Sequence, residues 1–127
     1  MKRVVGLWID HRKAVIVSIT GDKQETRRIQ SGMEKHVRFS SGSSEHGSAE
    51  DMRDRQFAEH LSRYYDEVIA AIRDVGSILI LGPGEAKGEL AKSLERDGMG
   101  GRIVGLETVD KMTDRQIAEK VRRHFHD

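Results

Sequence analysis

Ile78-Leu79-Ile80-Leu81-Gly82-Pro83-Gly84-Glu85-Ala86-Lys87 decides how this chain is built. Four consecutive apolar residues, with no polar residue alternating among them, read as a strand buried on both faces. Gly82-Pro83-Gly84 ends it, because neither strand nor helix crosses such a turn. A helix starts near Ala86, runs through Leu90 and Leu94, and stops near Gly98. A glycine turn between a buried strand and a helix lies where ligands bind in open α/β sheets. Backbone amides at the helix start suit an anion, and Lys87 adds a positive charge. Gly82, Gly84 and Lys87 therefore form a candidate anion-binding loop. The competing role is structural, since a turn joining strand to helix is itself enough to call for glycine. The loop lacks the Gly-Lys-Ser/Thr ending of a nucleotide-binding P-loop, which argues against ATP hydrolysis.

Working outward, Val4 to Ile9 is a short, almost continuous apolar run and belongs in the middle of a sheet. Asp10-His11-Arg12-Lys13 is a polar turn. Ala14 to Ile19 is a second strand, and Gly21-Asp22 closes a hairpin to a third, Gln24 to Gln30. That third strand is polar, with Arg27 and Arg28 adjacent, and suits a sheet edge. Ser40 to Ser48 is low in complexity and has no apolar residue to bury, so it reads as a mobile loop. Lys35 to Phe39 is a short strand or part of the same excursion. A long helix follows from about Ala49 to Val75, with Ser48 as its N-cap and Gly76 as its stop. Phe57, Leu61, Tyr64, Tyr65, Val68 and Ile72 form one stripe at helical spacing. Arg102 to Glu107 is the last strand. Thr113 and Gln116 make a capping box, and Met112 staples onto Ile117 to start a final helix that buries Ile117, Val121 and Phe125.

Three strands, helix, strand, helix, strand, helix is the resulting order. The later strands must be parallel because helices separate them, and such crossovers are right-handed. A meander followed by parallel crossover strands is a ribonuclease H-like α/β arrangement, with a mixed sheet of about five strands and three helices. The chain of 127 residues fits one domain over 1–127 and a single core. It contains no cysteine, which excludes disulfides and thiolate metal sites and fits a reducing compartment. The apolar run at the amino terminus is too short for a secretory signal, and no stretch is long enough to span a membrane. The expectation is a cytoplasmic protein.

The order of elements resembles the middle domain of the archaeal and eukaryotic class I release factor and of its relative Pelota. Strand-Gly82-Pro83-Gly84-Lys87-helix resembles the segment after that domain's long helix. Trp8-Ile9-Asp10-His11-Arg12-Lys13-Ala14 and Glu107-Thr108-Val109-Asp110-Lys111-Met112-Thr113-Asp114-Arg115-Gln116 look like small bacterial proteins labelled translational machinery protein. In the release factor, the loop before the long helix carries a Gly-Gly-Gln tripeptide that promotes peptidyl-tRNA hydrolysis. The matching loop here, Ser40 to Ser48, has no Gly-Gly-Gln. Pelota also has the domain without the tripeptide. The resemblance therefore implies a non-enzymatic RNA- or ribosome-associated module, without cofactor. Arg38, Ser43, His46, Arg53, Arg55 and Lys87 would make the contact.

Composition limits the form such a contact takes. Charged residues are 34% of the chain, yet its net charge is +1, so any nucleic-acid partner must meet a local basic patch. Lys120, Arg122 and Arg123 could share a phosphate-binding face with Arg53, Arg55 and Arg63, or simply complement the dipole of the last helix. Two alternatives stand beside the RNA-binding module. A metal-dependent nuclease would place Asp10 and Glu107, each at a strand end, around Mg²⁺; turn chemistry is the competing role for Asp10. A protein-binding module or homo-oligomer would use the open edge of the third strand. The six histidines show no metal-ligand spacing.

Overall fold

The computed structural model describes residues 3–32 and 47–126, the side chains of 47–54 and of 126 excepted. Most of the Ser40–Ser48 loop, and the segment Lys35–Phe39, lie outside the described residues. Five strands are present: β1 (Val4–Ile9), β2 (Lys13–Thr20), β3 (Lys23–Gln30), β4 (Ser77–Gly82) and β5 (Ile103–Thr108). The helices are α1 (Gly47–Ala71), α2 (Ala86–Arg96) and α3 (Asp114–His126), with a 3₁₀ turn at Gly100–Arg102. The sheet order is β3-β2-β1-β4-β5. The first three strands pair antiparallel, and β1, β4 and β5 pair parallel. This is the ribonuclease H-like arrangement expected from the order of elements.

Alternation along the central strands sorts the core into two layers. Leu7, Ile9, Ile78 and Ile80 face α1 and α2, in a cluster with Tyr64, Val68, Ile72, Leu90 and Leu94. Trp8, Leu79 and Leu81 face the other way and pack on Ile117 and Val121 of α3. All four apolar residues of β4 have no exposed surface, as a strand covered on both faces requires. Each such side chain contributes roughly 1.5–3 kcal/mol relative to exposure. Gly6 shares the α3 face with Trp8. A Cβ on it would lie 2.3 Å from Val121 Cγ2, so α3 rests directly on the backbone of β1.

Local chemistry sets the ends of elements. Gly21 alone has positive φ in the two-residue turn between β2 and β3, the pattern of a type II′ hairpin. Gly98 has φ +80°. The Met99 N–H reaches the Leu94 carbonyl (2.8 Å) and the Gly98 N–H the Glu95 carbonyl (3.1 Å), which makes a Schellman motif with Met99 and Leu94 in one cluster. At α3 the Thr113 hydroxyl accepts from the Gln116 N–H, and the Gln116 side chain accepts from the Thr113 N–H. Met112 packs in the same cluster as Ile117, so the capping box and the staple both form.

The long helix departs from its expected bounds. It begins at Gly47, which places Ser48 in the first turn and not at the N-cap. It ends at Ala71, four residues before Val75. Ile72 and Val75 are both buried, and the chain tightens through Ile72 N–H to Ile69 and Val75 N–H to Ile72 to bring them onto the core. Gly76 does not adopt positive φ; its N–H bonds the Arg3 carbonyl at 2.9 Å. Phe57 lies at the rim of the stripe, 37% exposed. Both sheet edges differ in character. β3 is polar and exposed except for Ile29, whereas β5 carries Val104 and Leu106, each about half exposed.

Candidate functional site

β1 and β4 run parallel and end side by side, so their carboxyl ends bring Ile9-Asp10-His11 next to Gly82-Pro83-Gly84. Gly82 is there for close approach: a Cβ on it would sit 2.4 Å from the Ile9 carbonyl oxygen. Its own carbonyl accepts from the Val109 N–H at 3.0 Å. Gly84 differs, since a Cβ there meets nothing within 4 Å and its φ is not positive. No side chain caps α2 at Glu85. The Lys87 ammonium folds back and donates to the Gly84 carbonyl at 2.6 Å. Glu85 and Glu89 flank the same helix start, and their negative charge competes with an anion for the amides.

Beside this turn lies a partly buried polar cluster against α1, in which Tyr64 and Tyr65 are buried and His11 and Glu89 are half-exposed. The Tyr65 hydroxyl donates to Glu89 Oε1 at 2.5 Å, and His11 Nε2 donates to the same oxygen at 3.1 Å. Tyr64 donates to the Asp10 carbonyl at 3.0 Å. The Ser31 hydroxyl donates to the His11 carbonyl at 2.6 Å, and His60 bonds the Ser31 carbonyl. The Phe57 ring meets His11 edge-on. These bonds tie the β1–β2 turn, the end of β3, α1 and α2 together. Burial, then the charges of Asp10 and Glu67, pushes the Tyr64 phenol up. Burial, then the bond to Glu89, does the same for Tyr65. Both tyrosines therefore remain protonated donors above the pH at which a free phenol ionises.

The linkage has a definite sign. In the unfolded chain a tyrosine releases its proton near its ordinary value of 10.0, while the folded protein retains it, so stability falls as pH rises above that value. Urea unfolding across this range is expected to lose roughly 1.4 kcal/mol per pH unit for each tyrosine. Tyr65→Phe should remove about half of that combined slope. An unchanged alkaline slope in Tyr65→Phe would mean that the phenol is not held as described.

Arg38, Ser43 and His46 lie outside the described residues, as does the side chain of Arg53. Arg55 is exposed on α1, whereas Lys87, in the first turn of α2, is half-buried. The Arg55/Arg63 and Lys120/Arg122/Arg123 groups do not share a face. α1 and α3 cover opposite sides of the sheet, because crossovers on both faces bury β4 twice.

Asp10 takes the turn role: its Oδ1 accepts from the Arg12 N–H (2.8 Å) and the Lys13 N–H (2.9 Å). Glu107, two strands away on β5, pairs with Lys120 at 3.1 Å. Among the described residues no three His, Asp or Glu side chains gather as a metal centre would need. Glu89, Tyr65 and His11 had no motif to betray them. The one signal was the pair Tyr64-Tyr65 on an apolar helical stripe, where buried hydroxyls need partners.

No protein-family model and no curated protein matches the sequence. Solved structures do match its fold. The Pelota protein of Thermoplasma acidophilum aligns with a TM-score of 0.61 and 19% identity, over 96% of this chain and 32% of that one. Archaeoglobus fulgidus Pelota aligns at 0.60 and 17%, over 98% and 32%. An archaeal translation termination factor aligns at 0.52 and 14%, over 98% and 39%. The chain spans about a third of the length of these proteins. The resemblance to the middle domain of Pelota and the release factor holds at the level of fold. No helix among the described residues is long and apolar enough to cross a membrane.

Proposed function

We propose that the protein is a non-enzymatic RNA- or ribosome-associated module. The observation that supports this most is the fold match along nearly the whole chain to Pelota and to a translation termination factor. The mechanism is binding through charge. Arg55 stands exposed, and Lys87 half-buried, on the side of the sheet covered by α1 and α2. Together with Arg38, Ser43, His46, Arg53 and the Gly82–Gly84 turn, they would meet phosphate groups. The Tyr65–Glu89–His11 bonds would hold the turn and α1 in fixed relation beneath that contact. Phosphate contacts release counterions, so such binding weakens steeply with salt.

Ribosome co-sedimentation tests the proposal. The protein is expected to pellet with ribosomes at low salt and to be released at high salt. Absence from the pellet even at low salt would refute it. Self-association is the alternative favoured by the exposed Val104 and Leu106 on the β5 edge. Light scattering that returns a monomer mass across a concentration series would exclude that.

A further inference from the structure

Two grooves flank α3, on the face of the sheet away from α1 and α2. One lies between α3 and β5 and includes Glu107, Lys120 and Arg123; the other lies towards β2 and β3 and includes Lys13, Arg28 and Arg115. They are contiguous, because Lys111, Met112 and Gln116 line both. Six cationic side chains and three carboxylates line the pair, in a chain whose whole net charge is +1. Two of the carboxylates are already neutralised: Asp114 by Arg28 at 2.6 Å and Glu107 by Lys120 at 3.1 Å. Lys111, Arg115 and Arg123 are exposed and have no ion-pair partner among the described residues.

We propose that this channel is a second RNA contact, binding the sugar-phosphate backbone without reading sequence. This deepens the reading above and rests on it for the class of partner. The shape favours a linear polyanion over a small anion. The cations come from β2, β3, the loop before α3, and α3 itself, so they spread along a track and do not converge on a point. The start of α3 is not the attraction, because Thr113 and Gln116 cap each other there. The chemistry favours RNA over a protein. Met112 and Leu79 are the only apolar side chains lining the grooves, and Leu79 is fully buried; a protein partner would need apolar anchors. Trp8 is buried and donates to the Asp110 carbonyl at 3.1 Å, and the ring that does line the groove beside β5 is the exposed His124 imidazole, with Phe125 edge-on to it. Trp8 offers bases no platform and His124 supplies a single small ring against six cations, so contact is chiefly with phosphates.

Fluorescence anisotropy with a labelled single-stranded RNA of mixed sequence tests this. The variant combines Lys111→Ala, Arg115→Ala and Arg123→Ala. Lys23→Ala, Lys92→Ala and Arg96→Ala together make a control with the same change in charge, at exposed residues elsewhere. Loss of three phosphate contacts should lower the slope of log affinity against log salt by about 2. The advantage of wild type over the variant should then shrink roughly twentyfold between about 50 and about 200 mM salt. Lys111→Arg, which keeps the charge, should bind as wild type does, and matched thermal melts confirm that the triple variant is folded.

Equal losses in variant and control would overturn the inference, because binding would then follow net charge alone. Undiminished binding by the folded variant would overturn it while leaving RNA association standing. Equally tight binding of poly-glutamate would overturn RNA as the occupant. No RNA binding by the wild type at low salt would remove this inference, and ribosome co-sedimentation would still decide the proposed function.

Discussion

Gly82→Ala is expected to destabilise the protein by about 3 kcal/mol, at the upper end of what overpacking usually costs. The new Cβ would fall 2.4 Å from the Ile9 carbonyl oxygen, far inside any permitted contact. The clashing atom is backbone and cannot rotate away. β1 and β4 are paired along their length, and both are buried between two helical layers. Relief must therefore come from prising the two central strands apart at their ends. The melting temperature should drop by roughly 10 °C for a chain of this size. Gly84→Ala is the matched control. Its Cβ meets open space and its φ suits any residue, so stability should change by no more than about 1 kcal/mol, with any gain arising from a less flexible unfolded chain. Similar melting temperatures for the two variants would contradict the close approach of β1 to β4.

Gly6→Ala is expected to cost about 2 kcal/mol by forcing α3 off the sheet. The Cβ would overlap both Val121 methyl groups, at 2.3 and 2.8 Å. Here the obstacle is a side chain, so the cost should be largely reversible. Val121→Ala by itself removes buried methyl groups and should destabilise by about 2 kcal/mol. Combined, the two changes exchange volume across one contact. The double variant should be more stable than the sum of the single effects by about 1–2 kcal/mol. Trp8, the sole tryptophan, lies on the same face two residues along β1 and packs with Val121, so its fluorescence reports this contact. Strict additivity would mean that Gly6 and Val121 do not touch.

These two glycines show where sequence reading stops. Gly82 was visible as a turn residue, because Gly-Pro-Gly after four apolar residues admits little else. That it must be glycine while Gly84 need not be depends on how closely the β1 backbone approaches. Gly6 gave no signal at all within its apolar strand. The requirement comes from α3, more than a hundred residues later in the chain. The end of α1 was misplaced for a related reason. Helical periodicity continues through Ile72 to Val75, but burying those residues against β4 needs a tighter turn, and only packing sets that.

The candidate site divides in the same way. The position of Lys87 just after the glycine turn followed from its place in the chain, whereas its partial burial and the bond from its ammonium to Gly84 did not. Asp10 and Glu107 each end a strand, and strand ends alone could not tell a metal pair from a turn and an ion pair. The separation of the α1 and α3 cations onto opposite faces became fixed only when β4 was covered twice.

By itself, then, the sequence determined the element order, the buried central strands, the polar β3 edge and the capping box of α3. These depend on local spacing and on chemistry within a few residues, which a linear chain carries in full. The tertiary structure decided which glycines are obligatory, which carboxylate Tyr65 and His11 share, and that six cations from separate elements line one channel. Those depend on distances between segments remote in sequence, and such distances exist only once the two layers have packed against the sheet.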